Sequence, residues 1–358
     1  MSGLTRRSFT TALASSGLML GARRASAQDQ KRFDNVTLRV GVFGGGWKDA
    51  IQSFVGSKLE ARGVKIEYVP GNPADNFAKI VAARGAAVPI DVMEISPAER
   101  IAMTRNGFLE DLPEAHIPNL KKTSVSITEG KAVAYHMVQN GIVYRADRFE
   151  ADKLPLPKTL MDLQNSVYAN KLAFPDVVNP QHWPAVTLLA LANGGSESNP
   201  EPGFAAAKKM RPLYYYSAAV ELAQKMSLGD IVAAPWHAGM ALRLANAGQK
   251  MGMIHPTLGD KRGEIEFNYL GIVKGTKNAE AAAAFINQFL DTESQVNFAK
   301  PMGVAPVNIE ARRQLASDPV ISKFMLLSEE DLAKTYTMDW NKVNVEKWRA
   351  SWLRTING

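Results

Sequence analysis

The chain has 358 residues, 46% of them hydrophobic and 22% charged, the composition of a globular protein long enough for two domains rather than of a disordered chain. It contains no run of eighteen apolar residues to span a bilayer and no cysteine, which excludes a disulfide framework and thiol chemistry. The formal net charge of +7 is carried by Lys and Arg scattered among acids, not gathered into a stripe, and argues against nucleic acid as a partner.

The N-terminus reads as a targeting segment. Thr5-Arg6-Arg7-Ser8-Phe9 precedes an apolar stretch from Ala12 to Gly21, and Ala25-Ser26-Ala27 has the small-x-small form of a cleavage site. The pattern resembles a twin-arginine export signal, with Arg6 and Arg7 as the defining pair. It implies passage through the twin-arginine machinery, cleavage after residue 27, and a mature protein working in the periplasm. Residues 1–27 hold four arginines and no acid, so the mature balance is 7 − 4 = +3.

From Val36 the chain alternates strand and helix. VTLRVGVF is β-branched-rich and suits a strand in a covered sheet. Gly44, Gly45 and Gly46 form a turn, and Trp47, Ile51, Phe54, Val55 and Leu59 then recur along one face of a helix. A ligand at that turn meets free amides at a helix start and an indole beside them. A dinucleotide fingerprint starting at Gly44 requires glycine at position 49, where Asp49 stands. A phosphate loop starting at Gly41 requires Lys directly after Gly46, where Trp47 stands. Lys65 to Val69 is predicted as a strand, Ala74 to Ala86 as a helix and Ile90 to Ile95 as a buried strand. Ser96-Pro97-Ala98-Glu99 has the form of a capping box with proline at the first helical position. This alternation predicts parallel βαβ units whose ligands collect at the carboxyl ends of strands.

Lys131 to Arg145 reads either as a hairpin turning at Asn140-Gly141 or as long segments leaving the first half of the chain. A second series follows: a helix over Thr159 to Lys171, a strand at Leu172 to Phe174, helices over Pro184 to Ala192 and Ser217 to Met226, and a strand at Ile231 to Trp236. After these come a helix over His237 to Gln249 and a strand at Met251 to His255. Glu264 to Val273 is extended, Glu280 to Phe289 helical, Ala305 to Val307 extended, and Asp339 to Ile356 helical with packed tryptophans. The five histidines show no H-E-x-x-H spacing and there is no G-x-S-x-G elbow, so the expectation is not an enzyme.

In order along the chain, VGVFGGGWKDA, IDVMEIS, NGIVYRADRF, KLAFPD, IVAAPWHAG, EFNYLGIVKGTKNAEAAAAFINQFLD and GVAPVN together resemble the periplasmic solute-binding proteins of ABC importers, in the spermidine/putrescine-binding branch. The resemblance implies a two-lobed α/β receptor of type II, each lobe a mixed sheet flanked by helices. The lobes are expected at 28–144 plus 268–312 and at 145–267 plus 313–358, with crossings near Tyr144 and Phe267. It further implies a monomer without cofactor or bound metal that closes on a small solute and delivers it to a membrane permease.

Carried over position by position, Trp47, Trp236 and Phe267 become aromatic walls that attract alkylammonium groups, and Asp176 a carboxylate for an amine. Tyr269 stands where the family carries an aspartate, and the loop after Ile95 offers Ser96 in place of a tyrosine-rich set. The expected site is therefore Gly45, Gly46, Trp47, Ser96, Asp176, Tyr215, Ser217, Trp236, His237, Phe267 and Tyr269. The expected solute is a polyamine or related amine, with a zwitterion or organic anion as alternatives. Ferric ion is a further alternative, because Tyr214-Tyr215-Tyr216 offers phenolates, although related iron receptors carry tyrosines where this chain has His237-Ala238.

Overall fold

The computed structural model describes residues 33–83, 87–125 and 127–357. The expected export signal lies outside the described residues, as does the end of the helix expected over Ala74 to Ala86.

Thirteen strands are present among the described residues. They are β1 (Thr37–Val42), β2 (Lys65–Pro70), β3 (Val92–Ile95), β4 (Ile127–Thr128), β5 (Ala132–Arg145), β6 (Ala173–Pro175), β7 (Tyr214–Tyr216), β8 (Ala233–His237), β9 (Met251–Ile254), β10 (Thr257–Leu258), β11 (Lys261–Arg262), β12 (Glu264–Ile272) and β13 (Ala305–Pro306). A nine-stranded sheet has the order β13-β5-β12-β3-β1-β2, with β4, β8 and β9 also paired to β5. The predicted parallel units hold: β1 pairs parallel with β2, Leu38 opposite Ile66, and with β3, Val40 opposite Val92. β12 returns antiparallel between β3 and β5. β6 and β7 form a small parallel pair beside β8.

The glycine turn after β1 is exposed, with Gly45 at φ 63, in the half of backbone space that a Cβ disfavours. It leads into Gly46–Ile51, which runs through one π-helical turn, Gln52–Gly56, to Ser57–Glu60. Ile51, Val55 and Leu59 are fully buried on one face, as their spacing predicts. Asn72 caps the next helix, Pro73–Ala82, by accepting the Asp75 N–H at 2.9 Å. Ser96 precedes the helix Pro97–Arg105, but its hydroxyl donates to the Glu99 carboxylate instead of capping a backbone amide. The expected capping box is thus a side-chain pair.

Of the two readings of Lys131 to Arg145 the long extended one holds: β5 is one uninterrupted strand of 14 residues, not a hairpin at Asn140-Gly141. Its first half pairs with β12 and its far end with β8 and β9, so a single strand ties the two parts of the molecule together. Gly141 serves a close approach instead of a turn: a Cβ there would meet the Ile254 carbonyl oxygen at 2.4 Å. The helix expected over Thr159 to Lys171 is replaced by two 3-10 turns, Met161–Gln164 and Ser166–Tyr168. Here the Asp162 carboxylate accepts the N–H groups of Lys158 and Thr159, and Asn165 accepts that of Val167. Such local side-chain bonds compete with helix formation.

One apolar core packs β1 and β12 against the helices Ala279–Phe289 and Thr292–Met302, through residues such as Leu38, Leu270, Phe285 and Phe298. A second gathers Phe174, Leu189 and Phe204 with Trp348 and Trp352 of the last helix, Val345–Asn357. Trp340, expected in that helix, lies in a separate 3-10 turn, Trp340–Lys342.

Candidate functional site

The carboxyl ends of the strands open on a cleft of about 870 Å³, within the range of small-molecule sites. One side is built by Phe43 and Trp47 after β1, by Asn72 to Ala74, and by Ser96 to Glu99 after β3. The floor comes from the central strands: His136 of β5, with Glu266 and Asn268 of β12. The other side is built by Val177 to Gln181 with Trp183, by Ser217 and Ala219, by His237, and by Trp340, Val345 and Arg349.

Five helices of nine to eleven residues begin at this cleft: Pro73–Ala82, Pro97–Arg105, His182–Ala192, Ala219–Leu228 and Ala238–Asn246. Their amino ends bring partial positive charge toward one space, which suits a negatively charged group. Carboxylates lie in the same cleft. Burial is the main cause that pushes the Glu266 carboxyl up to about 7, with the nearby Glu99 charge adding to it and the Asn268 amide opposing. Arg349 of the last helix is the cation on the opposite wall.

The imidazoles are held neutral. Burial lowers His136 to about 3, and its Nδ1 has no hydrogen-bond partner. His237 is lowered to about 3 by burial first and by Arg243 second. Trp47 is framed edge-on by Phe43 at 5.8 Å, His136 at 5.2 Å and Phe298 at 4.8 Å. Its indole Nε1 donates to Glu94 at 2.6 Å. Across the cleft, Trp183 packs on Trp340 at 5.9 Å and on Trp348 at 5.2 Å.

Of the expected site residues, Trp47, Ser96, Ser217 and His237 line this cleft, and Gly45 and Gly46 lie exposed in the turn that carries Trp47. The other five lie elsewhere. Trp236 is 1% exposed and packs in the core beside Tyr216, so it is not a cleft wall. Phe267 and Tyr269 open on a side pocket of about 90 Å³, where the Arg100 guanidinium sits 5.3 Å from the Tyr269 ring. Asp176 accepts the Val178 N–H at 3.3 Å and the Trp352 indole N–H at 3.4 Å, which ties a turn to the second core. Tyr215 packs edge-on against Trp352 at 5.3 Å. One cause covers three of these misplacements: successive strand residues face opposite ways. His237 reaches the cleft and Trp236 turns inward, while Glu266 and Asn268 form the floor that Phe267 and Tyr269 were expected to supply.

Sequence reasoning also missed His136, Glu99, Trp340 and Arg349. Glu99 was legible as the acid of the Ser-Pro-Ala-Glu start, whereas Arg349 carries no local signal. The three tyrosines of β7 do not converge: Tyr216 is buried and donates to the Pro235 carbonyl at 2.6 Å, and Lys225 lies over the Tyr214 ring at 5.0 Å. Among the described residues no group of three or more His, Asp or Glu is placed to hold a metal ion, and no helix is long and apolar enough to cross a membrane.

Residues 51–323 match the family model described as bacterial extracellular solute-binding protein. Solved structures share the fold. An ABC transporter from Clostridium perfringens superposes with a TM-score of 0.73 at 23% identity, over 89% of this chain and 100% of that one. A GABA receptor gives 0.71 at 19% identity, over 89% and 96%. MotA from A. tumefaciens, in complex with glucopine, gives 0.68 at 18% identity, over 89% and 99%.

Proposed function

The chain belongs to the bacterial extracellular solute-binding proteins, and from that premise we propose that it is the substrate-binding component of an ABC importer, capturing a small amine-containing solute and delivering it to a membrane permease. The observation that carries this reading is the cleft itself, lined from both sides by indoles and holding Glu99 on one side, Glu266 on its floor and Arg349 on the other side. Indole faces and carboxylates attract an ammonium group, whereas helix starts and a guanidinium attract a carboxylate. A polyamine satisfies only the first set. An amino-acid-like zwitterion satisfies both, and the composition of the cleft favours it.

In this reading, residues 1–27 direct twin-arginine export, and the mature monomer works in the periplasm without a cofactor. The lobes are 28–144 plus 268–312 and 145–267 plus 313–358, bending about the segments near Tyr144 and Phe267. A solute that touches both lobes stabilises the closed form over the open one by the difference in its contacts with the two. The GABA receptor and the glucopine-bound protein of similar fold support a solute of this class.

The test is a thermal-shift screen of residues 28–358 against polyamines, α- and ω-amino acids, dicarboxylates and ferric citrate, since a compound that binds only the folded state raises Tm. The largest shift is expected from a compound with both an amine and a carboxylate. A shift from dicarboxylates alone, the solute class that the helix starts by themselves favour, or from ferric citrate alone overturns the amine reading.

A further inference from the structure

Glu94 stands outside the cleft, directly behind its first wall. It is 2% exposed at the end of β3, and three groups converge on its carboxyl: the Trp47 indole N–H at 2.6 Å, the Phe43 backbone N–H at 2.7 Å, and the Tyr135 hydroxyl. An indole and a backbone amide are donors only. The carboxylate is therefore the one form that accepts from all three. The neutral acid carries a hydrogen of its own, which only the Tyr135 hydroxyl can accept, and it offers the indole and the amide an uncharged, weaker acceptor.

Resting on the reading of the cleft as the solute site, we propose that Glu94 is a positioning residue that holds the Trp47 ring firmly as the cleft wall when ionised and loosens its hold on taking up a proton. The two oxygens bind different segments, Oε2 the strand end at Phe43 and Oε1 the helix start at Trp47, so the carboxylate fixes the glycine turn between them. Within that turn the Gly45 carbonyl accepts the Asp49 N–H at 3.1 Å, and Gly45 and Gly46 have nothing within 4 Å of where a Cβ would stand. Burial raises Glu94 to about 7, against the three hydrogen bonds that lower it. The exchange between the two forms then falls at neutral pH.

The elements packed around Glu94 supply few competing charges. β5 contributes Tyr135, which burial and Glu94 push upward, and His136, held neutral. β12 places Leu270 opposite, and the flanking helices present Phe289 and Phe298. On the helix of Trp47, Lys48 is paired outward with Asp49 and Gln52.

The experiment reads indole emission of the solute-free protein from pH 5.5 to 8.5, with Trp47→Phe subtracted so that Trp47 alone is followed. The expected result is a change with one midpoint near neutral pH that is lost in Glu94→Gln. Tyr135→Phe removes one donor to the carboxylate and is expected to move the midpoint to higher pH, because the ionised form loses a stabilising bond. A flat wild-type signal, an unchanged midpoint in Tyr135→Phe, or the same midpoint in a folded Glu94→Gln overturns the proposal. No solute enters this measurement, so its failure is distinct from failure of the screen to find an amine.

Discussion

Trp47 and Trp236 look alike in the sequence, each an indole at a strand end just before a helix, and the structure gives them opposite duties. Trp236 is enclosed by the core, and truncating such a side chain removes transfer energy and leaves a cavity. Trp236→Ala is expected to destabilise the protein by about 3–5 kcal/mol in urea unfolding. Trp47 faces the cleft, and Trp47→Ala is expected to weaken binding of the solute found by thermal shift by about 1–3 kcal/mol, with a smaller loss of Tm than Trp236→Ala. Calorimetric titration alongside unfolding separates the two. Glu266→Gln keeps the shape of the floor and removes its charge. It is expected to weaken an amine-bearing solute by about tenfold, the worth of one charge-assisted bond, and unchanged affinity would place the amine elsewhere.

At the scale of elements, the strand and helix types were legible because the apolar periods of β1, β3 and the helix after Trp47 agree with their local propensities. Errors fell where a residue had two physical explanations. Asn140-Gly141 is a strong turn signal, but the glycine is there because the β9 backbone passes within 2.4 Å of where its Cβ would be. Gly141→Ala is therefore expected to lower stability by about 1–3 kcal/mol through overpacking; an unchanged urea midpoint would refute the close approach. The segment after Lys158 has a helical apolar pattern, yet Asp162 and Asn165 fold back on their own backbone. The helices Glu201–Lys209 and Ile309–Ala316 escaped the sequence reading.

For the whole molecule, buried titratable groups set how stability depends on pH. Burial raises Glu94 to about 7, Glu266 to about 7 and Glu264 to about 8, from an ordinary 4.5. Over the interval from about 8 to 4.5 the folded state binds the extra protons, so these groups add stability as pH falls. Burial lowers His136, His182, His237 and His255 to about 3 or 4, from an ordinary 6.5. Below 6.5 the unfolded state binds more protons at these sites, so they subtract stability as pH falls. The solute-free Tm is expected to climb from pH 8.5 to about 6.5, to change little down to about 4.5 where the two sets nearly cancel, and to fall below that. A Tm that rises steadily from pH 6.5 to 8.5 would contradict the burial of the three carboxyls. Small-angle scattering is expected to show a smaller radius of gyration once the solute is bound, as the lobes close.

The sequence by itself determined the class of this protein: an α/β chain without cysteine, the succession of most of its strands and helices, and the family that this succession resembles. These follow from patterns within a few neighbouring residues and from their succession along the chain. Only the tertiary structure decided which side chains meet the cleft. That choice depends on strand register, where one residue of offset exchanges Trp236 for His237 and Phe267 for Glu266, and on contacts between segments as distant as Glu94 and Tyr135, which no local pattern records.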